Sequence, residues 1–128
     1  MISGSSQFHI EAQELKMELE KQGYCVIDYT KKLENNSELE YKNFYETFFY
    51  NLNKTDDLIV LNKDKKGIKG YIGYNTFAEL SFLVVRKIQN NSDHKIYLYK
   101  MPSKEVGCYD EINHFIKLGY IELFENFK

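Results

Sequence analysis

The chain has 128 residues and a mass of 15.2 kDa, a length typical of one domain. Its composition, 43% hydrophobic and 28% charged, is that of a globular protein and excludes a disordered tail. Seventeen Lys and Arg residues against nineteen Asp and Glu residues give a formal charge of -2, so we expect no duplex nucleic acid as a partner.

The expected location is cytoplasmic, with no membrane contact. No run of about 18 apolar residues occurs, so no transmembrane helix is expected. Residues 1–6 lack the basic and apolar segments that begin a secretory signal. Cys25 and Cys108 are far apart and form no CxxC pair, which favours two reduced thiols.

Apolar runs typical of strands alternate along the chain with stretches that have helical spacing. The first strand is expected at Met1 and Ile2, and the first helix extends up to Gln22, with Gly23 as its stop. Further strands are predicted at residues 24–29, 58–61, 95–99 and 120–124.

Three more helices are predicted between these strands. The second begins at Ser37, because Glu40 follows at the spacing of a capping box. Its apolar stripe is Tyr41, Phe44, Tyr45, Phe48 and Leu52. The third helix spans residues 76–89 and the fourth spans residues 110–118.

This order of elements predicts a single α/β domain over residues 1–128, with a five-stranded, mostly parallel sheet and helices on both faces. In such folds, ligands bind beyond the carboxyl ends of the strands, where the strand order reverses. We therefore expect functional residues in the loops after the first, third and fourth strands.

The loop after the first strand consists of small residues, Ser3, Gly4, Ser5 and Ser6. Small residues let backbone N–H groups approach an anionic or polar ligand. The loop has neither the GxGxxG nor the P-loop pattern. An ordinary turn with a serine cap explains the same residues, and the local sequence leaves both interpretations open.

Glu79 lies near the start of the third predicted helix. The helix dipole stabilises a carboxylate there by about 0.3–1 kcal/mol, which helps to keep it ionised. An ionised carboxylate is the nucleophile of a glycosyl transfer by double displacement. The alternative is structural, because Thr76 and Glu79 have the spacing of a capping box.

Lysines are concentrated in the glycine-containing loop that precedes the third helix, at Lys63, Lys65, Lys66 and Lys69. They could meet a phosphate, or they could simply be solvated on the surface. The three histidines form no HExxH or HxxxH pattern, so we expect no metal site and no cofactor.

Three segments together resemble the nucleoside 2-deoxyribosyltransferase-like superfamily, which includes nucleoside deoxyribosyltransferases and nucleoside 5′-monophosphate N-glycosidases. They are residues 2–5, residues 57–62 and residues 73–82, and the last is similar to the signature G-T-x-x-E-[LMI]-G-[FY]. The resemblance covers essentially the whole chain. It implies a Rossmann-like (flavodoxin-like) domain, dimeric or larger, that transfers or hydrolyses the N-glycosidic bond of a (deoxy)nucleoside or nucleoside 5′-monophosphate.

The same resemblance implies that Glu79 is the catalytic nucleophile. The residues expected to contact the substrate are Ser3, Gly4, Ser5, Asn62, Asp64, Tyr71, Gly73, Tyr74, Asn75 and Thr76. Transferases of the superfamily keep an aspartate shortly before the glutamate, whereas the nearest upstream carboxylate here is Asp64, and Ser81 replaces a glycine. The missing aspartate favours an alternative function, a non-catalytic nucleotide-binding or sensing domain on the same fold.

The third predicted helix is apolar on two sides. One stripe is Phe77, Leu80, Val84 and Ile88, and the other is Ala78, Phe82 and Val85. The first stripe is enough to cover a sheet, so the second predicts a homodimer of equivalent helices. The rival explanation is that aromatic residues of the second helix, such as Phe49 and Tyr50, cover it within one chain.

Overall fold

Four short strands form a parallel sheet in the computed structural model, which describes residues 1–126. In spatial order they are β1 (Ile2–Ser3), β2 (Leu58–Val60), β3 (Ile96–Leu98) and β4 (Glu122–Leu123). Ile59 in β2 pairs with Ile2 on one side and with Tyr97 on the other. The predicted α/β class with a parallel sheet is confirmed.

Helices connect the strands in the predicted order. They are α1 (His9–Lys21), α2 (Glu38–Leu52), α3 (Tyr74–Asn90) and α4 (Tyr109–Lys117), with 3₁₀ turns at Ser6–Phe8 and Phe124–Asn126. Ser37 caps α2 as predicted, because its Oγ accepts a hydrogen bond from the Glu40 N–H at 3.1 Å. Within residues 1–126, no helix combines the length and the apolar character needed to cross a membrane.

The two faces of the sheet carry separate hydrophobic cores. The larger core joins α2, α3 and α4 to the sheet and includes Leu52, Leu58, Val60, Leu80, Leu83, Ile96, Leu98 and Ile112. The smaller core lies under α1 and includes Ile2, Phe8, Ala12, Leu19, Ile59, Leu61 and Tyr97. Each fully buried Leu or Ile side chain stabilises the folded state by about 1.5–3 kcal/mol relative to an exposed one. The prediction of helices on both faces is therefore confirmed.

The predicted second strand, residues 24–29, is not a strand. Only a single parallel bridge forms there, between Tyr29 and Ile2. Its hydrogen bonds run from the Ile2 N–H to the Asp28 carbonyl at 3.2 Å and from the Thr30 N–H to the Ile2 carbonyl at 3.1 Å. Because β1 is two residues long, it offers no partners for a longer ladder. Within residues 1–126 the sheet therefore has four strands, one fewer than predicted.

This bridge nevertheless shows where the strand order reverses. The segment at Tyr29 lies on one side of β1, and β2 lies on the other. After α1 the chain therefore runs along the outer side of β1, and α2 then carries it back to the opposite side. Such a reversal leaves a crevice at the carboxyl end of the central strand.

Two of the five residues in the predicted apolar stripe of α2 reach the core. Phe48 and Leu52 are buried, whereas Tyr41, Phe44 and Tyr45 are 40%, 40% and 41% exposed. A helix of 15 residues is about 22 Å long, whereas the three residues of β2 span about 10 Å. Because crossover helices run antiparallel to the strands they connect, the first turns of α2 project beyond the carboxyl ends of the sheet.

The second apolar stripe of α3 is partly covered within the chain. The Phe82 ring packs edge-on against Phe49, with centroids 5.7 Å apart. Tyr50 is 67% exposed, so the rival explanation holds for Phe49 and fails for Tyr50. In the first stripe Ile88 is 54% exposed, and Leu83 is buried in the core instead.

Candidate active site

A cavity of about 730 Å³ opens at the carboxyl end of β1, where the strand order reverses. Its volume lies within the range of about 300–1,000 Å³ that is usual for small-molecule sites. The loop after β1, the segment at residues 28–31, α2, the loop before α3 and the start of α3 form its walls. Most predicted site residues line it: Gly4, Ser5, Tyr71, Gly73, Tyr74, Asn75, Thr76 and Glu79.

Glu79 lies in the second turn of α3 and does not cap the helix. The helix begins at Tyr74, two residues earlier than predicted, and its N-cap is Gly73, so Thr76 is inside the helix. The capping-box interpretation of Thr76 and Glu79 is therefore wrong. Glu79 Oε1 instead accepts a hydrogen bond from the hydroxyl of Ser3, a completely buried residue at the end of β1.

Glu79 is the most strongly perturbed carboxyl group of the cavity wall. Burial raises the pKa of Glu79 to about 7, the hydrogen bond from Ser3 acts to lower it, and the negative charge of Asp28 raises it further. Near neutral pH the group therefore divides between the acid and the carboxylate. A titratable group perturbed by burial in a cleft is a candidate for catalysis.

Asp28 is a second carboxylate in the wall of the same cavity, and the sequence analysis did not identify it. It is 5% exposed. Its Oδ1 accepts hydrogen bonds from the Tyr29 N–H at 2.8 Å and from Lys31 Nζ at 2.6 Å, and its Oδ2 accepts one from Asn51 Nδ2 at 2.9 Å. These donors compensate the buried charge and join the segment to α2. Its position near the end of the predicted second strand could have identified it. Functional residues were expected after the first, third and fourth strands and not after the second.

The loop after β1 lies directly on the end of β2. A Cβ at Gly4 would stand 2.9 Å from the carbonyl oxygen of Leu61, so only glycine fits there. Thr30 Oγ1 donates a hydrogen bond to the Gly4 carbonyl at 3.0 Å. Ser5 Oγ accepts from the Gln7 N–H at 3.4 Å, so the serine-cap interpretation is correct for Ser5, and the same residue lines the cavity.

Of the lysines in the loop before α3, Lys65 lines the cavity. Its Nζ donates a hydrogen bond to Ser5 Oγ at 3.0 Å and lies 4.6 Å from the centroid of the Tyr71 ring. Lys31 also lines the cavity and is paired with Asp28. Among the described lining residues, these two ammonium groups have different partners.

Three predicted residues do not line the cavity. Asn62 is 1% exposed; its Nδ2 donates to the carbonyls of Gly70 at 3.2 Å and Lys100 at 2.7 Å. Asp64 is exposed and accepts from the Gly70 N–H at 3.0 Å and from Lys100 Nζ at 2.8 Å; the hydrogen bond from Lys100 lowers the pKa of Asp64. Both residues brace the loop. Ser3 lies under Glu79 and acts on that side chain.

The outer part of the cavity is bounded by aromatic side chains of α2. We call Tyr41, Phe44, Tyr45 and Phe48 the aromatic wall. The Tyr41 and Tyr45 rings stack with centroids 5.6 Å apart, and the Tyr41 hydroxyl accepts a hydrogen bond from Asn75 Nδ2 at 2.9 Å. All four belong to the predicted apolar stripe of α2, and no site was expected there. Tyr41, Phe44 and Tyr45 are partly exposed, and flat rings of this kind bind nucleobases by stacking.

Among residues 1–126, no three or more His, Cys, Asp or Glu side chains are grouped so that they could hold a metal ion. Comparisons of the chain with protein-family models, with curated proteins and with solved structures found no match.

Proposed function

We propose that the protein cleaves the N-glycosidic bond of a (deoxy)nucleoside or nucleoside 5′-monophosphate, with Glu79 as the nucleophile. The observation that carries the proposal is the position of Glu79, a mostly buried carboxyl group in the wall of a nucleotide-sized cavity. Its side chain accepts a hydrogen bond from Ser3, and it has no capping role. Burying such a group is costly, and active sites are where proteins tolerate that cost.

The reaction needs the ionised form of Glu79. Because Ser3 holds Oε1, the proposed attacking atom is Oε2. As the bond from this oxygen to the anomeric carbon forms, the bond from that carbon to the base nitrogen breaks, and the base takes a proton from water. Water or a second base then attacks the anomeric carbon, and the glycosyl ester breaks to restore the carboxylate.

Other groups of the cavity wall suit the remaining parts of a nucleoside. The sugar becomes positively charged in the transition state, and the nearby carboxylate of Asp28 favours that charge. Tyr71, Tyr74 and Asn75 offer hydroxyl and amide groups for the sugar hydroxyls. The aromatic wall offers rings on which the base can stack.

The test is a base-release assay on a panel of nucleosides and their 5′-monophosphates, with free base detected by chromatography. Glu79→Gln keeps the shape of the side chain and the hydrogen bond from Ser3, and we expect it to lose about a thousandfold or more in rate. Glu14→Gln, an exposed change on α1, is the matched control. Equal turnover by Glu79→Gln and the unmodified protein would remove Glu79 from this role.

One observation favours the second candidate, a non-catalytic nucleotide sensor. Asp28, the other carboxylate among the described residues that line the cavity, accepts hydrogen bonds from three donors, so both of its oxygens are engaged in holding the cavity wall. Calorimetry with nucleotides, followed by chromatography of the same mixtures after several hours, separates the two functions. Tight binding without any free base would establish the sensor.

We further propose a homodimer formed by α3. Val85 and Ile88 remain 49% and 54% exposed on this helix, and a self-complementary apolar patch buries itself in a twofold dimer. Light scattering should give twice the mass of one chain, and Val85→Glu should reduce it to the monomer. Met17→Glu, which changes an apolar residue of α1 that is 54% exposed, should leave the mass unchanged. A monomer at micromolar concentration would contradict the proposal.

The proposed location is cytoplasmic. Cys25 and Cys108 are both free thiols, as is usual for proteins in a reducing compartment. Recovery of the protein outside the cytoplasmic fraction of intact cells would contradict this.

A further inference from the structure

Lys65 is a cation in the cavity wall that has no anionic partner in the part of the chain that the structure describes. Its recorded neighbours are the Ser5 hydroxyl and the Tyr71 ring, and both are neutral groups. Lys31, in contrast, is paired with Asp28 at 2.6 Å. An ammonium group held by neutral neighbours keeps its full charge for an incoming anion.

The backbone holds Lys65 in place. The Lys65 N–H donates to the Ile68 carbonyl at 3.0 Å, and the Ile68 N–H donates back to the Lys65 carbonyl at 2.9 Å. The two residues between them, Lys66 and Gly67, have φ angles of 52° and 78°. These are the left-handed angles of a tight two-residue turn. They are unfavourable for Lys66, so the turn is held in one conformation by its hydrogen bonds, and Lys65 stands at its start.

Two serine hydroxyls line the same cavity as Lys65. The Ser5 hydroxyl accepts a hydrogen bond from Lys65, Ser6 follows it in the loop, and the glycine before them, Gly4, allows the loop to lie close against β2. Hydroxyl donors and an ammonium group are a common combination for phosphate oxygens. The other lysine of the cavity, Lys31, cannot serve equally, because Asp28 already neutralises it.

We propose that Lys65, with the hydroxyls of Ser5 and Ser6, binds the 5′-phosphate of the substrate, which is therefore a nucleoside 5′-monophosphate and not a free nucleoside. This inference rests on the proposed function. The Glu79 carboxylate fixes where the anomeric carbon lies, and the aromatic wall takes the base, so the loop after β1 and Lys65 remain for the 5′ substituent.

The first test measures binding while the chemistry is blocked. Calorimetry on Glu79→Gln protein compares each 2′-deoxynucleoside 5′-monophosphate with the matching 2′-deoxynucleoside. Charge-assisted hydrogen bonds to a phosphate should make the monophosphate bind about tenfold tighter or more. Adding Lys65→Met should abolish most of this preference and leave nucleoside binding unchanged. Lys65→Arg, which keeps the charge, should restore part of it.

Lys69→Met is the matched control, because Lys69 belongs to the same loop, is exposed and lies outside the cavity wall. It removes the same charge and should change the affinity for the monophosphate less than twofold. Equal losses in Lys65→Met and Lys69→Met would show a general electrostatic effect and overturn the inference. Equal affinity of the Glu79→Gln protein for nucleosides and monophosphates would overturn it as well.

A second measurement uses the unmodified protein, so it does not depend on whether a variant folds. Inorganic phosphate should compete with the monophosphate for the unmodified protein and should not compete with the nucleoside. Competition with neither ligand contradicts the inference. A protein that binds monophosphates through Lys65 but never releases a base would disprove the proposed function alone. Base release at the same kcat/KM from nucleosides and monophosphates would uphold that function and overturn this inference.

Discussion

The two ends of the cavity are built differently. At the polar end, Ser3 and Asp28 are buried; Ser3 donates a hydrogen bond to Glu79 on α3, and Asp28 accepts from the Tyr29 N–H, from Lys31 and from Asn51 on α2. At the aromatic wall, Tyr41, Phe44 and Tyr45 are each about two-fifths exposed. The hydrogen bond from Asn75 to the Tyr41 hydroxyl is itself exposed to solvent. One end is fixed, and the other is held mainly by contacts between rings.

The difference follows from where each end lies on the sheet. The polar end stands directly on the carboxyl end of β1, whose backbone is fixed by hydrogen bonds to β2. The aromatic wall stands on the turns of α2 that project beyond the sheet. Reactions that move charge need groups placed to within fractions of an ångström, whereas stacking tolerates shifts of the rings. The polar end therefore suits chemistry, and the wall suits recognition of a base.

The largest expected effect tests whether ionising the buried carboxyl group of Glu79 destabilises the folded protein. The folded-state pKa of Glu79 is raised from 4.5 to about 7, so the folded protein favours the acid. The stability that Glu79 contributes is full below pH 4.5 and is lost as the pH rises through about 7. Above that range, Glu79→Gln should raise the free energy of unfolding by about 3 kcal/mol, because the amide needs no ionisation.

Urea unfolding at about pH 4 and about pH 8 measures this difference. The gain from Glu79→Gln should be present at the higher pH and nearly absent at the lower pH. Glu14→Gln should show neither effect, because Glu14 is exposed on α1. The same gain at both pH values would mean that ionisation of Glu79 is not the cause.

Asp28→Asn should have the next largest effect. The amide cannot accept from both Lys31 and Asn51 as the carboxylate does, so the free energy of unfolding should fall by about 1–3 kcal/mol. Removing the negative charge should also lower the pKa of Glu79, because Asp28 acts to raise it. The acidic limb of the base-release profile should therefore move to lower pH. Asp93→Asn, an exposed change far along the chain, should leave that limb in place.

The elements of the fold were largely predictable, because apolar runs and helical spacing are local properties of the sequence. All four helices and the parallel sheet appear where the patterns place them. The strand at residues 24–29 was not predictable from its own residues. The length of a strand depends on its partner, and β1 offers only Ile2 and Ser3.

The candidate site was predictable where backbone position decides the geometry. Ser5 follows from the rule that ligands bind at the carboxyl ends of parallel strands, whereas Glu79 was expected from the family resemblance. Asn62 also follows a strand, yet its amide bonds the backbone at Gly70 and Lys100, and sequence does not show which way a polar side chain turns. The aromatic wall was not expected, because the apolar stripe on α2 does not reveal that the helix is longer than the sheet it covers.

A third prediction tests the wall as a stacking surface. Phe44→Ala removes a ring that lines the cavity without touching the polar end, so KM should rise about tenfold while kcat changes little. Tyr50→Ala is the matched control, because Tyr50 lies on the same helix, is 67% exposed and does not line the cavity. Equal effects of the two changes would show that Phe44 acts through the stability of α2.

The smallest expected effect concerns the hydrogen bond that joins the two sides of the cavity. Tyr41→Phe keeps the ring and removes the hydroxyl that accepts from Asn75, so KM should rise by about threefold or less, since an exposed hydrogen bond contributes only about 0.5 kcal/mol. Asn75 also belongs to the helix that carries Glu79, so the bond ties the wall to the polar end. If that tie is its role, Asn75→Ala added to Tyr41→Phe should cost no more than Asn75→Ala alone. Additive losses would show that each side chain contacts the substrate separately, and the two ends would then act independently.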